Sequence, residues 1–509
     1  MNHGWSGPAN PALPRVRGGL PPRTPQRHVA LPSLARRELA LIAGVARTVG
    51  DNNSPAAQRA VSAAEDALLR RATMGPSVTD YGRIESIGYE AWLEEQLDYT
   101  NLDDSALEDA LLDALPTLSM SVGQIWREYE DNPFVPIYEL WLATLYRALY
   151  SPRQLFERMS TFWSDHFSID IFADYQALLK PIDERQVIRS NTLGKFPAML
   201  SASAHSPAML LYLTNDSNAK QHPNENYARE LMELHTMGAD RGYTEADVKE
   251  VARCFTGWTW NDPYRGVPAA EVGTFRYAKF IHDNQSKKVL GKKIPSGGGI
   301  SDGERVLELL ATRPETAEYI ATKMLRWLHG YEPSRKLVKK VGKAYARSDG
   351  DIRTMLRTAL RAKQMSGVET KLKRPFHLMV SALRALAVDV QEPGEILDHL
   401  SLAGHLPFAW TPPNGYPDTA QWWSGLVMPR WDFATAAVGD DIGVIDPAID
   451  DPSGGTSKIV NRIDLLLMNR QMTPATRTAL TKFIGGRKSR ARVREAIGLA
   501  ISAPEFQEY

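Results

Sequence analysis

Acidic and amide side chains recur along one segment in a pattern that could bind a cation or move a proton. Residues 223–237 are predicted to form a helix, and Asn226, Glu230 and Glu233 then share one face because they are four and three residues apart. Two carboxylates one turn apart can bind one hard cation, or share one proton with one pKa raised. The alternative is a solvated face or a buried polar network. His235 falls off this face, so the segment supplies at most half of a metal site.

Histidines elsewhere in the chain could complete such a site. His166 ends a predicted apolar helix over 152–167, where it could be a packed core residue, a metal ligand or a general base. His282 and Asp283 lie in the irregular region 261–301, where an imidazole and a carboxylate are often functional. The alternative for that pair is a surface turn.

Together these side chains would form a mixed imidazole and carboxylate site between the helices and the 261–301 region. The predicted metal ligands are His166, Glu230, Glu233, His282 and Asp283, and the predicted catalytic residues are His166, Glu230 and His282. Such a set suits iron, manganese or zinc, and either hydrolysis by a metal-bound water or an oxidation would use it. This hypothesis of a metal-dependent enzyme requires the five side chains to converge within roughly 6 Å.

A second group of residues could contact a substrate or a partner. The loop 408–423 is rich in proline and aromatic residues, which is typical of a rigid segment that packs on a surface or lines a cleft. The predicted substrate-binding residues are Lys287, Arg229, Asn226, Trp410 and Tyr416. The alternative function is a non-catalytic binding or assembly protein, in which this loop and the basic C-terminal helix contact a glycan or a protein.

Composition excludes several classes of protein. The 509 residues carry 60 basic and 60 acidic side chains, and this balance argues against a dedicated nucleic-acid binder. The single cysteine, Cys254, excludes an internal disulfide and a cysteine-based zinc site. The segment 485–489 lacks the residue order of a phosphate-binding loop, so no nucleotide-binding residues are predicted. No uninterrupted apolar run of about 18 residues indicates a transmembrane helix.

The elements that must position these residues are predominantly helical. Helical patterns dominate from residue 56 onward, and a strand-like alternation occurs near 272–282. We therefore predict a mainly α fold, with one large domain over 56–509, a minor β element and long ordered loops. Residues 1–55 are predicted to be a flexible leader, rich in proline and glycine, with a short helix. Because Glu38 follows Arg36 and Arg37 directly, the leader is a poor export signal, and a cytoplasmic location is favoured over export.

Several sequence blocks occur in the order of a known bacterial family. They are 71–75 (Arg-Ala-Thr-Met-Gly), 88–97, 162–167 (Phe-Trp-Ser-Asp-His-Phe), 224–238, 243–248 with 256–258, 282–287, and 412–422. On these blocks the chain resembles the family called domain of unknown function 1800, over about residues 65–509. The resemblance brings no established activity, but it implies a protein partner resembling the sulfatase and phosphatase superfamily. It also implies export for many relatives. Asp165 departs from the asparagine that is usual in the family before the histidine of the 162–167 block.

Overall fold

The computed structural model of the chain describes residues 61–486 and 488–509. The predicted leader over 1–55, with its short helix and its poor export signal, lies outside the described residues. The division into a leader and one domain over 56–509 stays a prediction.

Helices dominate the described residues, which confirms the prediction of a mainly α fold. Several begin with a capping box, in which a Ser or Thr side chain and an acidic side chain three residues later satisfy each other's backbone amides. The helices are α1 Ala63–Ala72, α2 Val78–Ile87, α3 Tyr89–Leu97, α4 Ser105–Ala114, α5 Val122–Tyr129, α6 Phe134–Tyr150, α7 Gln154–His166, α8 Gln176–Asp183, α9 Phe196–Ala204, α10 Pro207–Tyr212, α11 Asn226–Glu230, α12 Glu245–Phe255, α13 Ser301–Ala311, α14 Pro314–Leu328, α15 Arg335–Arg347, α16 Ile352–Ala359, α17 Ala362–Met365, α18 Pro375–Ala385, α19 Pro393–Leu402, α20 Ala420–Trp423, α21 Val427–Ala436, α22 Thr456–Met468, α23 Pro474–Ile484, α24 Arg490–Ile501 and α25 Pro504–Gln507.

Short antiparallel strand pairs supplement the helices. The strands are β1 Trp258–Trp260, β2 Phe275–Tyr277, β3 Lys287–Val289, β4 Lys292–Ile294, β5 Asp389–Val390 and β6 Gly443–Val444. They pair as β1 with β2, β3 with β4, and β5 with β6. Strand β2 is the β element that the sequence predicts near 272–282. It aligns Phe275 with Trp260 across the pair.

Two clusters of buried hydrophobic side chains hold the helices together. One contains the inward faces of α7 and α14, including Trp163 and Trp327. The other contains those of α6, α18, α22 and α24. Burial of these side chains is the main favourable term for folding, at about 25 cal/mol for each Å² of apolar surface removed from water. The candidate site lies where α7 meets the residues that precede α18.

The helix predicted over 223–237 is not uniform. It is α-helical over Asn226–Glu230 and becomes a π-helix over Leu231–Thr236. The Met237 amide donates to the Met232 carbonyl at 2.9 Å, five residues back rather than four. The prediction that His235 lies off the face of Glu230 and Glu233 assumed a constant α-helical repeat; in the structure His235 is buried, whereas the two glutamates are half-buried.

Among the described helices, none is both long enough and apolar enough to cross a membrane.

Candidate functional site

Helices α7 and α14 face each other with two rows of large side chains. Each row contains residues four apart: Arg158, Phe162 and His166 on α7, and Tyr319, Lys323 and Trp327 on α14. At one end the Arg158 guanidinium lies 4.2 Å from the centroid of the Trp327 ring. At the other end the rings of His166 and Tyr319 are 6.5 Å apart. The two rows therefore run antiparallel, with Lys323 in the middle.

Two buried histidines meet at the end of α7. The Nε2 atom of His166 lies 3.1 Å from the carbonyl oxygen of His235, and the ring centroids are 6.2 Å apart. Burial lowers the pKa of His235 to about 3, and the charge of Lys323 lowers it further. Burial also holds the pKa of His166 well below its ordinary value, again with a contribution from Lys323. Both imidazoles are therefore neutral at pH 7. Within the described residues, His166 Nδ1 and His235 Nε2 have no hydrogen-bond partner.

A set of ion pairs adjoins these histidines. Arg374 contacts the carboxylate of Asp165 and lies 3.4 Å from that of Asp418. The Nζ atom of Lys371 contacts Asp418 at 2.7 Å. Burial raises the pKa of Asp165, although the charge and hydrogen bond of Arg374 oppose that shift. Asp165 thus supplies one of the two carboxylates in this set of ion pairs.

More positive charge lies behind these ion pairs. The guanidinium of Arg374 lies 4.7 Å from the Trp327 centroid, and that of Arg71 lies 4.5 Å from the Tyr509 centroid. Arg158 also donates to the Tyr509 hydroxyl at 2.8 Å. In the described part of the chain, the Nε atoms of Arg71 and Arg374 are buried without an acceptor. We call Arg71, Arg158, Lys371 and Arg374 the basic cluster.

The positive charges of the basic cluster shift the pKa of Tyr509. Burial raises the pKa of its phenol, but the charges of Arg158, Lys371 and Arg71 outweigh that effect and hold the pKa below its ordinary value. Four cationic side chains face two carboxylates, Asp165 and Asp418, and all four cations are buried. The arrangement can therefore stabilise an additional negative charge.

The predicted carboxylates Glu230 and Glu233 lie at the edge of this region and are half-buried. Burial raises the pKa of Glu230, Glu233 raises it further, and Arg229 opposes the shift. Arg229 itself pairs with Glu245 at 2.7 Å and with Glu225 at 3.2 Å. Its charge is thus largely neutralised by neighbouring acids.

The other predicted ligands form a separate buried network. His282 Nδ1 lies 2.7 Å from the Thr256 carbonyl oxygen, and its Nε2 lies 3.4 Å from Asp302. Lys287 donates to the same Asp302 carboxylate at 2.6 Å, and both of their side chains are fully buried. His282 and Lys287 are therefore held by Asp302, a residue that the sequence analysis did not single out.

The predicted five-ligand metal site is not formed. Asp283 contacts Arg253 at 2.7 Å, so a guanidinium neutralises its carboxylate through a charge-assisted hydrogen bond. Over residues 61–486 and 488–509, no three His, Cys, Asp or Glu side chains form a group that could hold a metal ion. Metal-dependent catalysis stays a prediction that plasma mass spectrometry of the purified protein can test.

The predicted substrate-binding residues are dispersed. Trp410 and Tyr416 line a narrow cavity of ≈ 40 Å³ beside Asp165, which is room for roughly three water molecules. The Tyr416 hydroxyl donates to the Leu406 carbonyl at 2.6 Å. Asn226 donates to the Leu213 carbonyl at 3.1 Å and supports the turn before α11. Their roles toward a substrate stay predictions.

The basic helix α24 turns its arginines toward acidic residues of the same chain. Arg490 contacts Asp450. Arg494 contacts Asp450 and Asp440, at 2.7 Å in both pairs. These pairs anchor the loop that precedes α22. In the alternative hypothesis this helix contacts a partner. Such a partner would have to compete with these internal ion pairs for the arginines.

Gly238, which follows the π turn, is expected to be intolerant of a side chain. Its φ is +90°, and a Cβ atom there would lie 2.8 Å from the Tyr319 ring. Gly238→Ala should lower the free energy of unfolding by about 2 kcal/mol through backbone strain and the contact. The matched control is Gly266→Ala, where φ is +68° and no atom lies within 4 Å of the added Cβ. Urea denaturation should show a smaller loss for the control, and equal losses would contradict the contact with Tyr319.

The sequence analysis missed several residues of the site. Lys323 lies in a helix whose pattern gives it no distinction from surface lysines. Lys371 and Arg374 belong to a run of charges before Pro375, and such runs usually lie in solvent, yet here they are buried. Pro375 could have indicated this burial, because it begins α18, whose side chains belong to the second hydrophobic cluster.

A comparison with family models completes the description. The model described as protein of unknown function, DUF1800, matches residues 67–508, which is most of the chain. The chain belongs to this family. No curated protein and no solved structure was found to match it. Two of the blocks that carried the resemblance meet in this DUF1800 member, since His166 and His235 come from 162–167 and 224–238.

Proposed function

We propose that the protein binds the oxyanion group of a small molecule beside the basic cluster. The observation that carries this proposal is the excess of buried cationic side chains over the carboxylates of Asp165 and Asp418. Phosphate, sulfate and carboxylate groups share the chemistry that guanidinium and ammonium groups recognise.

The energetic cost of burying charge supports the proposal. A buried cation without a counter-charge is costly, so a cluster with residual positive charge gains from an added anion. The unpartnered Nε atoms of Arg71 and Arg374 are donors that an acceptor oxygen could satisfy. Lys323 lies beside the basic cluster and is half-buried. A ligand could reach the basic cluster from solvent past this side chain.

Inorganic phosphate is expected to bind the protein and to raise its melting temperature more than sodium chloride does at equal ionic strength. Lys323→Met should weaken phosphate binding about tenfold, which is the order expected for one lost charge-assisted hydrogen bond. Isothermal titration calorimetry with phosphate and with sulfate measures both effects.

Lys339→Met is the matched control, because Lys339 is exposed on α15 and has the same side chain. It should leave phosphate binding unchanged. Equal responses to phosphate and chloride would exclude the anion site. Normal phosphate binding by Lys323→Met would show that the anion binds elsewhere.

A protein partner is a separate proposal. We infer from the family resemblance alone that a protein resembling the sulfatase and phosphatase superfamily is a partner of this chain. Such an enzyme would release a sulfate or phosphate oxyanion, which is the ligand class proposed above. Co-expression of the two chains followed by size-exclusion chromatography tests the association.

A further inference from the structure

We propose that the amine of Lys323 is a nucleophile that forms an imine with a carbonyl carbon of the bound molecule. This inference rests on the proposed anion site, and it narrows the ligand to a small molecule that carries both an oxyanion group and an aldehyde or ketone. A 2-oxo acid is the simplest member of that class.

The surroundings of Lys323 differ from those of three buried lysines that bind a carboxylate, and from those of Lys373, which is buried against the Phe506 ring at 3.8 Å. Lys180, Lys287 and Lys371 each bind a carboxylate within 2.7 Å. Within the described part of the chain, no hydrogen bond or ion pair reaches the Nζ atom of Lys323, and its nearest aromatic contact is the Tyr319 ring at 5.7 Å. The two carboxylates beside it are already occupied by Arg374 and Lys371. Its amine therefore has no anion that holds it in the charged form.

Its electrostatic environment favours the neutral amine. Burial lowers the pKa of Lys323 to about 8; Asp165 and Asp418 oppose the shift, and Arg374 adds to it. About a tenth of the amine is then neutral at pH 7, against less than one part in a thousand for an ordinary lysine. Desolvation together with a neighbouring cation is a known way to activate a lysine as a nucleophile.

The step balances without an oxidant or a reductant. The neutral amine attacks the carbonyl carbon, a C–N bond forms, and the carbonyl oxygen takes up a proton. The resulting carbinolamine loses that oxygen as water, and the nitrogen loses its remaining protons as the C=N bond forms. Solvent water supplies and removes the protons in this exchange, because the lowered pKa values of His166 and His235 make both imidazoles poor bases. The basic cluster would hold the oxyanion group throughout.

The test is reductive trapping with pyruvate as the probe. The full chain is incubated with pyruvate and sodium cyanoborohydride at pH 7.5, digested, and analysed by peptide mass spectrometry. We expect a reduced adduct at Lys323 that forms at least tenfold faster than at Lys339, which serves as an internal control. Added phosphate should suppress the adduct at Lys323 and leave that at Lys339 unchanged.

Lys323→Arg separates the two proposals, because it keeps a positive charge and removes the nucleophile. It should bind phosphate more tightly than Lys323→Met does and form no adduct at position 323. Labelling of Lys323 no faster than Lys339, in protein that binds phosphate, would overturn the imine and leave the anion site standing. Rapid labelling of Lys323 that phosphate does not suppress would support the reactive amine and overturn the anion site.

Discussion

Acidification from pH 6.5 to pH 5 is expected to destabilise the protein steeply. Burial lowers the pKa of His235 to about 3 and that of His329 to about 4. Burial also holds the pKa values of His166, His377 and His405 well below the ordinary value. The unfolded chain binds protons at these side chains below pH 6.5, and the folded chain does not. The stability that these neutral histidines contribute to the fold is therefore present above pH 6.5 and is lost as the pH falls.

Buried carboxyl groups with raised pKa values oppose this loss. Burial raises the pKa values of Asp104 and Asp216 to about 6, so the folded chain takes up protons there before the unfolded chain does. Near pH 5.5 the five histidines exceed Asp104 and Asp216 by about three protons. Burial also raises the pKa values of Asp165, Glu139 and Glu230, so the unfolding free energy should fall by at most about 4 kcal/mol per pH unit. A stability of about 5–15 kcal/mol would be consumed within a few pH units.

Urea denaturation at pH 7.0, 6.0 and 5.5 measures this slope. His329→Gln should reduce it by about 1.4 kcal/mol per pH unit, because one histidine no longer titrates in the unfolded chain. A glutamine amide can still donate to the Ala359 carbonyl, which His329 Nε2 approaches at 2.9 Å. The exposed His222 provides the control, since His222→Gln should leave the slope unchanged. Stability that does not vary over this range would mean that the buried histidines are already protonated in the fold.

Lys287→Met is expected to destabilise the protein by about 3–5 kcal/mol, the cost of leaving one partner of a buried ion pair alone. The fully buried carboxylate of Asp302 would lose its contact at 2.6 Å, and its Oδ1 atom already lacks a hydrogen-bond partner among the described residues. His282 Nε2, at 3.4 Å, is a longer and weaker substitute.

A double variant distinguishes the ion pair from simple packing. Lys287→Met with Asp302→Leu removes both charges, and it should recover about 2 kcal/mol relative to Lys287→Met alone. Lys288→Met is the matched control, because Lys288 lies next to Lys287 in β3 and is exposed on the other face. It should change the unfolding free energy by less than about 0.5 kcal/mol. If the double variant were less stable than Lys287→Met, the pair would not be the reason for the loss.

The fold was more predictable than the site. The helices and the strand near 275 follow from apolar periodicity and capping residues, which are local properties of the sequence. That His282 and His166 lie in separate networks was not predictable in this way, because it depends on which partner each residue finds in space. His282 lies near Asp302, and Asp283 binds Arg253. Each partner is 20 or more residues away along the chain, and the sequence patterns indicated neither of them.

Two further features of the site could not have been predicted from the spacing of residues along the sequence. The π turn at 231–236 changes the direction of His235, and propensity rules do not distinguish it from an α-helix. The burial of the run 371–374 reverses the usual expectation for charged residues, because Arg374 stacks on Trp327 and Lys371 binds Asp418.

The π turn also bears on how sequences of this family should be aligned. An α-helix advances about 100° per residue, so a chain with one residue fewer between Glu230 and Gly238 could form an uninterrupted α-helix there. Its histidine would then be rotated by about a quarter of a turn, away from the position of His235 beside His166. A single-residue gap in this segment would thus mark relatives with a different arrangement of side chains at the end of α7, even where every block of the family is otherwise retained.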